Sequence, residues 1–465
     1  MENSNTLEFR TESDYLGTEQ IPVDAYYGIA TARALKLFPN TGEQFDEKFI
    51  WAYFMIKKSA ALLNAEIGRL DKNIAAAITT ACDEWERLKE WVVVDPLSGG
   101  AGTSVNLNIN EVIANRATEI LGGKKGEYLV DPYNHVNMHQ STNDTFVTAG
   151  KMAVILRLRE LVDSVIKLQE MIQEKEKEFY SIRTVGRTQL MDALPIMMGQ
   201  QFGAWADALA RDRWRLNKVE ERIRSVNIGG TAIGTGVGAP KEYTLRIVEV
   251  LRQVANVKIA KAENLIDATQ NLDTFAEIHG LLKSLAVNLY KISNDIRLLG
   301  SGPKTAIGEL ILPAVQVGST IMPGKVNPVV PEYVLQNMLV VFGHDEIVSH
   351  ACAQGNLQLN QFAPIVVHFT LKSMRLLTSS CHALAKYVKL LDVDKERCQQ
   401  NLERSSSNLT PLINYFGHEV VSEAIRQANY DVEKALQLLA EKENTTVSEL
   451  LKKLNIQKMT GLGYY

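Results

Sequence analysis

Long segments with helical spacing constrain the fold of this chain more than any other feature. Between Thr148 and Phe179, apolar residues recur at three- to four-residue steps with charged residues between them. This spacing is typical of one face of an α-helix, and the segment is much longer than an average globular helix of ~11 residues. Similar long periods occupy residues 200–226, 267–299, 329–350 and 364–392. Several long helices without strand patterns between them predict a mainly α fold with a central bundle of long helices.

The rest of the chain is less regular. Residues 1–45 contain turn residues throughout and are expected to be irregular, whereas 46–92 and 105–121 show helical spacing. Shorter helices are expected after residue 398. Long helices must bury their apolar faces, and one protomer does not necessarily cover them all, so the pattern favours oligomerisation.

Bulk composition excludes several classes of protein. The chain has 465 residues, of which 46% are hydrophobic and 22% charged, as in globular proteins of two to three domains. A formal charge of −4 does not favour nucleic-acid binding. No apolar run approaches the ~18 residues of a membrane helix, and the first residues lack the pattern of a signal peptide. The four cysteines are far apart in sequence, which is typical of reduced thiols. We therefore expect a cytoplasmic protein without membrane or nucleic-acid partners.

One polar segment stands out between two helical periods. Residues 318–328 read Gly-Ser-Thr-Ile-Met-Pro-Gly-Lys-Val-Asn-Pro. Its glycines and prolines disfavour a helix or strand and predict a loop that can move. The loop offers two hydroxyls, an ammonium and an amide and contains no carboxylate. These groups suit an anionic substrate.

A second glycine-rich segment, residues 229–238, invites comparison with nucleotide-binding loops. No strand–helix alternation surrounds it, and it lacks the Gly-Lys-Ser/Thr of a P-loop. We expect a turn or close backbone packing between helices there.

Three further polar islands interrupt the helical pattern. They are Gly102-Thr103-Ser104, Gln140-Ser141-Thr142-Asn143-Asp144 and Gly186-Arg187-Thr188-Gln189. Hydroxyls beside the cations Arg187 and Lys325 suit a small anionic ligand. Alternatively, Asn143 and Asp144 are N-terminal caps of the helix that follows them.

Together these segments resemble the aspartase/fumarase superfamily. The matching motifs, in the family's order, are Tyr26-Tyr27-Gly28-Ile29, Gly102-Thr103-Ser104 with Asn106-x-Asn108-x-Asn110-Glu111, Gln140–Asp144, Gly186-Arg187-Thr188, Asn294-Asp295-Ile296-Arg297-Leu298 and the 318–328 loop. The resemblance covers roughly residues 9–345. It implies a three-domain helical protomer that forms a homotetramer with active sites shared between subunits. We place the domains at 1–143 (N-terminal), 144–398 (central helical bundle) and 399–465 (small C-terminal helical domain).

Two features place the chain nearer to the family's aspartate ammonia-lyases than to its fumarases. Residues 329–332 read Val-Val-Pro-Glu, which resembles the ammonia-lyase pattern, and Gln189 stands where fumarases carry histidine. The amide of Gln189 cannot act as a general acid or base. The resemblance thus implies reversible deamination of L-aspartate, a small dicarboxylate, to fumarate and ammonia.

The resemblance also implies roles for individual residues. Ser319 would be the catalytic base, with Lys325 nearby to stabilise its alkoxide. The β-carboxylate would be held by Thr103, Ser141, Thr142 and Thr320, and the α-carboxylate by Lys325, Asn327 and Thr188. Asn143 and Gln189 would lie near the amino group, and Glu332 would give support. No step needs a cofactor, and the histidines show no spacing typical of a metal site, so we expect neither. His139 is expected to have a local structural role.

Several positions depart from the family pattern. Residues 353–364 lack its glutamate and Val-Met pair, and 304–308 and 410–418 also differ. These departures keep three alternatives open, namely a fumarate hydratase, a lyase that adds another amine to fumarate, and a catalytically silent helical scaffold. The joint presence of Ser319, Lys325 and Asn327 argues against the silent scaffold. Argininosuccinate and adenylosuccinate lyases share the fold but have different sequence surroundings.

Overall fold

The computed structural model describes residues 8–454 and 458–461 of the chain. The α-helices in these residues are α1 Ile29–Leu37, α2 Glu47–Glu66, α3 Lys72–Asp83, α4 Trp85–Leu88, α5 Thr103–Ile120, α6 Thr142–Glu178, α7 Met198–Leu216, α8 Val219–Ile223, α9 Lys241–Ala255, α10 Leu265–Gln270, α11 Asp273–Leu299, α12 Val329–Ala353, α13 Ala363–Lys389, α14 Lys395–Arg404, α15 Ile413–Phe416, α16 His418–Gln427, α17 Val432–Lys442 and α18 Val447–Leu454. Short non-α helical turns occupy Lys89–Trp91, Pro132–Val136 and Ser406–Leu412. The predicted mainly α class is confirmed.

The strands in the described residues form only two-stranded sheets. They are β1 Phe9–Asp14, β2 Gly17–Pro22, β3 Arg183–Thr188, β4 Met191–Met197, β5 Ser225–Val226, β6 Ala260–Lys261, β7 Leu310–Ile311 and β8 Asp392–Val393. The pairs β1–β2, β3–β4 and β7–β8 are antiparallel, and β5–β6 is parallel. Among the described helices, none combines the length and apolar character that a membrane crossing would need.

The longest helix among the described residues is α6, whose 37 residues span about 55 Å at ~1.5 Å per residue. It begins six residues before the predicted start, at Thr142. The long periods around 267–299, 329–350 and 364–392 correspond to α11, α12 and α13, with Asn271 and Leu272 separating α10 from α11.

Three predictions of local structure were wrong in detail. The long helical period predicted at 200–226 is divided between α7 and α8 and ends in strand β5. Residues 8–45 are not irregular throughout, because they contain the β1–β2 hairpin and α1. The guanidinium of Arg10 anchors this region by donating to the carbonyls of Pro22, Ala25 and Tyr27. The predicted helical stretch 46–92 is broken after α2, where Gly68 adopts a φ of +70° and Asp71 caps α3. Residues 1–7 lie outside the described part of the chain.

The described chain divides into two compact units. Unit 1 comprises residues up to Asp163, Trp214–Ser284 and Leu339–Thr378, and unit 2 comprises Ser164–Arg213, Leu285–Met338 and residues from Ser379 onward. Helices α6, α7, α11, α12 and α13 contribute residues to both units. The three-domain division remains a prediction.

Each unit has its own buried packing. In unit 1, the rings of Phe49, Tyr53 and Phe146 form an aromatic cluster, with 4.9 Å between the centroids of Phe49 and Phe146. In unit 2, Phe202 packs against Phe179 and Trp205. A separate cluster in unit 2 buries residues from Leu409 to Leu454 of the C-terminal helices.

Residues 229–238 form turns, as predicted. Gly229 and Gly234 have φ values of +90° and +88°. A Cβ on Gly234 would lie 2.4 Å from the backbone nitrogen of Ile266. The glycine at this position therefore permits close backbone packing.

Candidate active site

In unit 1, three of the predicted substrate-binding residues surround one pocket. Thr103, Ser141 and Thr142 line a pocket with a volume of about 470 Å³. The remaining lining residues are Asn106, Leu107, Tyr133, Asn137, His139, Gln140, Thr231, Ala232, Val237 and Gly238. The hydroxyl and amide groups in this set are neutral donors that can turn toward an anion.

Two long helices begin at this pocket. Thr103 is the first residue of α5 and Thr142 the first residue of α6. Gly102 precedes α5 with a φ of +89°, and a Cβ at this position would lie 2.2 Å from the Phe146 ring. The free N–H groups and the dipole at a helix N-terminus favour anions. The local backbone thus suits this pocket to a carboxylate.

The start of α6 is held by a capping arrangement that also fixes the glycine-rich turn. The hydroxyl of Ser141 accepts the N–H of Asn143, so Ser141 is the N-cap, and Asp144 completes the cap from within the first turn. The carboxylate of Asp144 accepts the N–H groups of Ser141, Gly229 and Thr231 at 2.9–3.1 Å. Burial raises the pKa of Asp144 to about 7, against the opposing effect of these three donors. Asp144 joins two segments that line the pocket.

A buried lysine, which the sequence analysis did not select, lies next to this pocket. The ammonium of Lys57 donates to the side-chain oxygens of Asn106 (2.8 Å) and Asn137 (3.0 Å). Asn106 in turn donates to the Thr142 hydroxyl at 3.1 Å. Lys57 is fully buried, and burial lowers its pKa to about 7. A positive charge on Lys57 would therefore act on the pocket through one intervening side chain.

Asn143 and His139 are both engaged with their surroundings in unit 1. The Asn143 amide donates to the carbonyl of Ala232 at 2.7 Å. The His139 ring lies 2.7 Å from the Asn64 side-chain oxygen and packs against Tyr243. The expected local structural role of His139 agrees with these contacts.

In unit 2, residues 318–328 form a loop without helix or strand, as predicted. The hydroxyl of Ser319 accepts the backbone N–H groups of Met322 at 2.9 Å and Ile321 at 3.2 Å. Two N–H donors aimed at one oxygen stabilise negative charge on that oxygen. The loop thus supplies Ser319 with the kind of environment that a serine alkoxide needs.

The two ends of this loop are pinned together. The Asn327 amide donates to the carbonyl of Gly318 at 2.5 Å. A Cβ on Gly318 would lie 2.0 Å from the carbonyl oxygen of Lys325, so only glycine permits this approach. Thr320 and Lys325 lie on the exposed part of the loop.

The loop borders a second pocket, of about 880 Å³, within unit 2. Lys325, Asn327 and Glu332 line it together with the cationic residues Arg297, Lys304 and Arg397. Lys304 comes from the 304–308 segment in which the sequence departs from the family pattern. Because Asp394 and Glu396 also line this pocket, charges of both signs surround the predicted α-carboxylate ligands.

Thr188 and Gln189 lie at the tip of the β3–β4 hairpin, where both are exposed. Gln189 and Leu190 have φ values of +55° and +65°, as in the two-residue turns that suit a tight hairpin. The Arg187 guanidinium beside them is paired with Glu309, which accepts two hydrogen bonds from it, at 2.6 and 3.0 Å.

The predicted site residues therefore fall into two groups. Thr103, Ser141, Thr142 and Asn143 belong to unit 1, and Thr188, Gln189, Ser319, Thr320, Lys325, Asn327 and Glu332 belong to unit 2. Their roles toward a substrate remain predictions. Across residues 8–454 and 458–461, no group of three or more His, Cys, Asp and Glu side chains has an arrangement that could hold a metal ion.

Comparison with known proteins identifies relatives that belong to one family of lyases. A family model described as "Lyase" matches residues 17–343. The aspartate ammonia-lyase of Bacillus subtilis (strain 168) is 39% identical over 460 residues, which cover 98% of this chain and 97% of the relative. That of Escherichia coli (strain K12) is 42% identical over 416 residues, which cover 88% and 87% of the two chains.

Solved structures show the same relationship. A fumarate lyase:delta crystallin from Brucella melitensis bound to cobalt is 40% identical, with a TM-score of 0.92 over 98% of this chain and 100% of the other. A class II fumarase from Schistosoma mansoni is 27% identical, with the same TM-score and coverage. The family model and the extent of identity confirm the resemblance that the motifs indicated: this chain belongs to the aspartase/fumarase superfamily.

Proposed function

We propose that the protein is an aspartate ammonia-lyase that converts L-aspartate reversibly to fumarate and ammonia. The observation that carries this proposal is the environment of Ser319, whose hydroxyl oxygen receives two backbone N–H donors in a loop that also holds Lys325 and Asn327. Curated relatives at 39% and 42% identity bear the same name. Both lines support a carbon–nitrogen lyase.

The reaction begins with removal of a β-proton from aspartate by the Ser319 alkoxide. The N–H groups of Ile321 and Met322 hold the negative charge on this oxygen before the transfer. The electron pair of the broken C–H bond moves into the β-carboxylate and forms an enediolate. Ser319 leaves this step as a neutral hydroxyl.

The enediolate then collapses to fumarate. Its electron pair forms the C=C bond, and the C–N bond breaks with its electrons on nitrogen. Because the amino group of aspartate is protonated, it leaves as neutral ammonia and needs no additional proton. A neutral amide at Gln189 is compatible with this step, since no general acid is required.

The proposed substrate contacts divide between the two groups of residues. Thr103, Ser141, Thr142 and Thr320 hold the β-carboxylate, and the helix N-termini at Thr103 and Thr142 support this assignment. Lys325, Asn327 and Thr188 hold the α-carboxylate. The amino group lies near Asn143 and Gln189, and Glu332 supports Lys325, with which it shares a pocket.

The proposal includes a homotetramer of three-domain protomers in the cytoplasm, with each active site formed by several subunits. Leu339, Val340 and Ile347 on α12 are exposed in the protomer, which supports burial by another copy. The four cysteines are free thiols, as is usual in a reducing compartment.

The function is tested by following the absorbance of fumarate when the protein is given ammonia, water or other amines. Consumption of fumarate with ammonia supports the proposal. Consumption with water alone would identify a hydratase, consumption with another amine only would identify a different lyase, and no consumption would favour the silent scaffold.

The role of Ser319 is tested by Ser319→Ala. Loss of a positioned base should lower kcat by about 10²–10⁴-fold. Thr320→Ser is the matched control, because it keeps a hydroxyl on the neighbouring residue and should leave kcat within a few-fold of wild type. Near-normal ammonia release by correctly assembled Ser319→Ala would exclude Ser319 as the base.

A further inference from the structure

The β3–β4 hairpin, which carries Thr188 and Gln189, is tied to the rest of unit 2 by one buried carboxylate. The Glu309 side chain is fully buried and lies between the hairpin and α14. Its carboxylate accepts hydrogen bonds from both terminal nitrogens of Arg187, at 2.6 and 3.0 Å. It also accepts one from the Asn401 amide at 2.8 Å. Bidentate pairing of this kind fixes both the distance and the plane of a guanidinium.

The backbone of Glu309 is held by hydrogen bonds at both its N–H and its carbonyl. The Glu309 N–H donates to the carbonyl of Leu299, and its carbonyl accepts the N–H of Asp394. The next two residues form β7, which pairs with β8. Asn401 adds a second bond, to the carbonyl of Ile307.

Arg187 directly precedes Thr188, so its position determines where the hairpin tip lies. A register irregularity separates Val185 from Arg187, and Gly186 fits there because a Cβ would lie 2.7 Å from the carbonyl of Leu194. The turn residues Gln189 and Leu190 have positive φ, a conformation that is unfavourable for non-glycine residues. A tip with this local strain needs an anchor outside the turn.

We infer that Glu309, acting through Arg187 and supported by Asn401, is a positioning residue that sets where Thr188 meets the substrate. This inference rests on the proposed function, in which Thr188 holds the α-carboxylate. The α-carboxylate does not react, so its contacts are made equally in the ground and transition states. Loss of the anchor should therefore raise KM and leave kcat nearly unchanged.

The test is Glu309→Gln, assayed for ammonia release from aspartate and for hydrogen exchange of the backbone amides. We expect KM to rise about tenfold or more, kcat to stay within threefold, and exchange to quicken within residues 184–197. Glu403→Gln is the matched control, because it removes the same charge from the exposed side of α14. Glu403→Gln should change neither the KM for aspartate nor the hydrogen exchange of residues 184–197.

The Arg187→Gln/Glu309→Gln double variant tests whether the two residues act together. If they act as a pair, the double variant should raise KM no more than the worse single variant does. Should Glu309→Gln fail to fold, Asn401→Ala removes one partner of the carboxylate and should raise KM about threefold.

Two results would overturn the inference: an unchanged KM, whether or not kcat falls, or unchanged exchange of the hairpin. If the wild-type protein does not act on aspartate, the proposed function fails and the anchor is judged by exchange alone. Unaltered exchange at 184–197 in Glu309→Gln would then reject it.

Discussion

At the scale of single residues, Lys57 shows how a buried charge can serve a pocket lined by neutral groups. Lys57 and Lys58 are neighbours in α2, but their environments differ. Lys57 is enclosed and bonded to Asn106 and Asn137, whereas Lys58 pairs with Asp83 near the surface. Burial of an ion is costly unless its partners compensate, so this position is best explained by an effect on the anion pocket.

We expect Lys57→Met to raise the KM for aspartate about tenfold or more, because the pocket loses a nearby cation. Burial lowers the pKa of Lys57 to about 7. The cation is therefore present below pH 7 and lost above it, so the wild-type KM should rise as pH increases through 7. Steady-state kinetics between pH 6 and 8 would check both effects. Lys58→Met is the control. If the KM of Lys57→Met changed with pH as much as the KM of wild type does, the prediction would be contradicted.

The polar residues of the site were accessible from the sequence because glycine, proline and hydroxyl-rich islands interrupt the helical pattern. The role of Lys57 could not be predicted from the sequence, since nothing in the pair Lys57-Lys58 shows which of the two lysines is buried. The pairing of Arg187 with Glu309 was inaccessible for a related reason. Glu309 lies 122 positions away from Arg187, and only the folded chain brings the two together.

At the scale of elements, α11, α12 and α13 share a buried network of histidines in unit 1. His279 lies 3.0 Å from the Asp345 carboxylate and 2.9 Å from the Ser373 hydroxyl, which is also 2.9 Å from His344. His368 bonds to Glu43. The other charged groups around the network are Lys283, Lys372 and Asp95. Burial lowers the pKa of His279, His344 and His368, and that of His344 falls to about 4.

This network should make the protein sensitive to acid. An unfolded histidine has a pKa of about 6.5, so between pH 6.5 and 4 the unfolded chain binds more protons than the folded chain. Stability is therefore full above pH 6.5 and falls as the pH decreases toward 4. For His344 the loss by pH 4.5 is roughly 2 to 3 kcal/mol.

His344→Asn should reduce this loss, because an amide can still bond to Ser373 but does not titrate. Urea unfolding at pH 7 and pH 4.5 would measure the difference. The control is His350→Asn, on the same helix, where the side chain is 81% exposed. Parallel pH dependence in wild type and His344→Asn would show that His344 does not contribute to the acid sensitivity.

Element boundaries were predicted less well than element type, and the reasons are local. Helix α6 starts at Thr142 because Ser141 and Asp144 cap it, whereas apolar spacing alone placed the start at Thr148. The β1–β2 hairpin was missed because its anchor, Arg10, acts through carbonyls 12 to 17 residues away. The spacing of apolar residues indicates which face of an element is buried, but caps and distant hydrogen-bond partners determine where the element begins and ends.

At the scale of the whole molecule, the sequence predicted the helical class and the family, but it gave no access to the division into two units. Each unit is assembled from three separate stretches of chain. Apolar periodicity shows that a helix such as α12 buries a face, but not whether its partner is the same chain or another copy. Leu339 and Val340 stay 56% and 43% exposed in the protomer, and the proposed tetramer would cover them.

Leu339→Asp tests that assembly directly. A carboxylate placed in an apolar interface would have to be desolvated without a partner, which costs several kcal/mol per copy. We expect the variant to sediment as smaller species than wild type and to lose activity in parallel, because each proposed active site needs several subunits. Leu451→Asp is the control, since Leu451 is 51% exposed on α18 and should tolerate the charge. Analytical ultracentrifugation paired with the ammonia-release assay decides the outcome: a fully active tetrameric Leu339→Asp would show that α12 does not contribute this face to the interface.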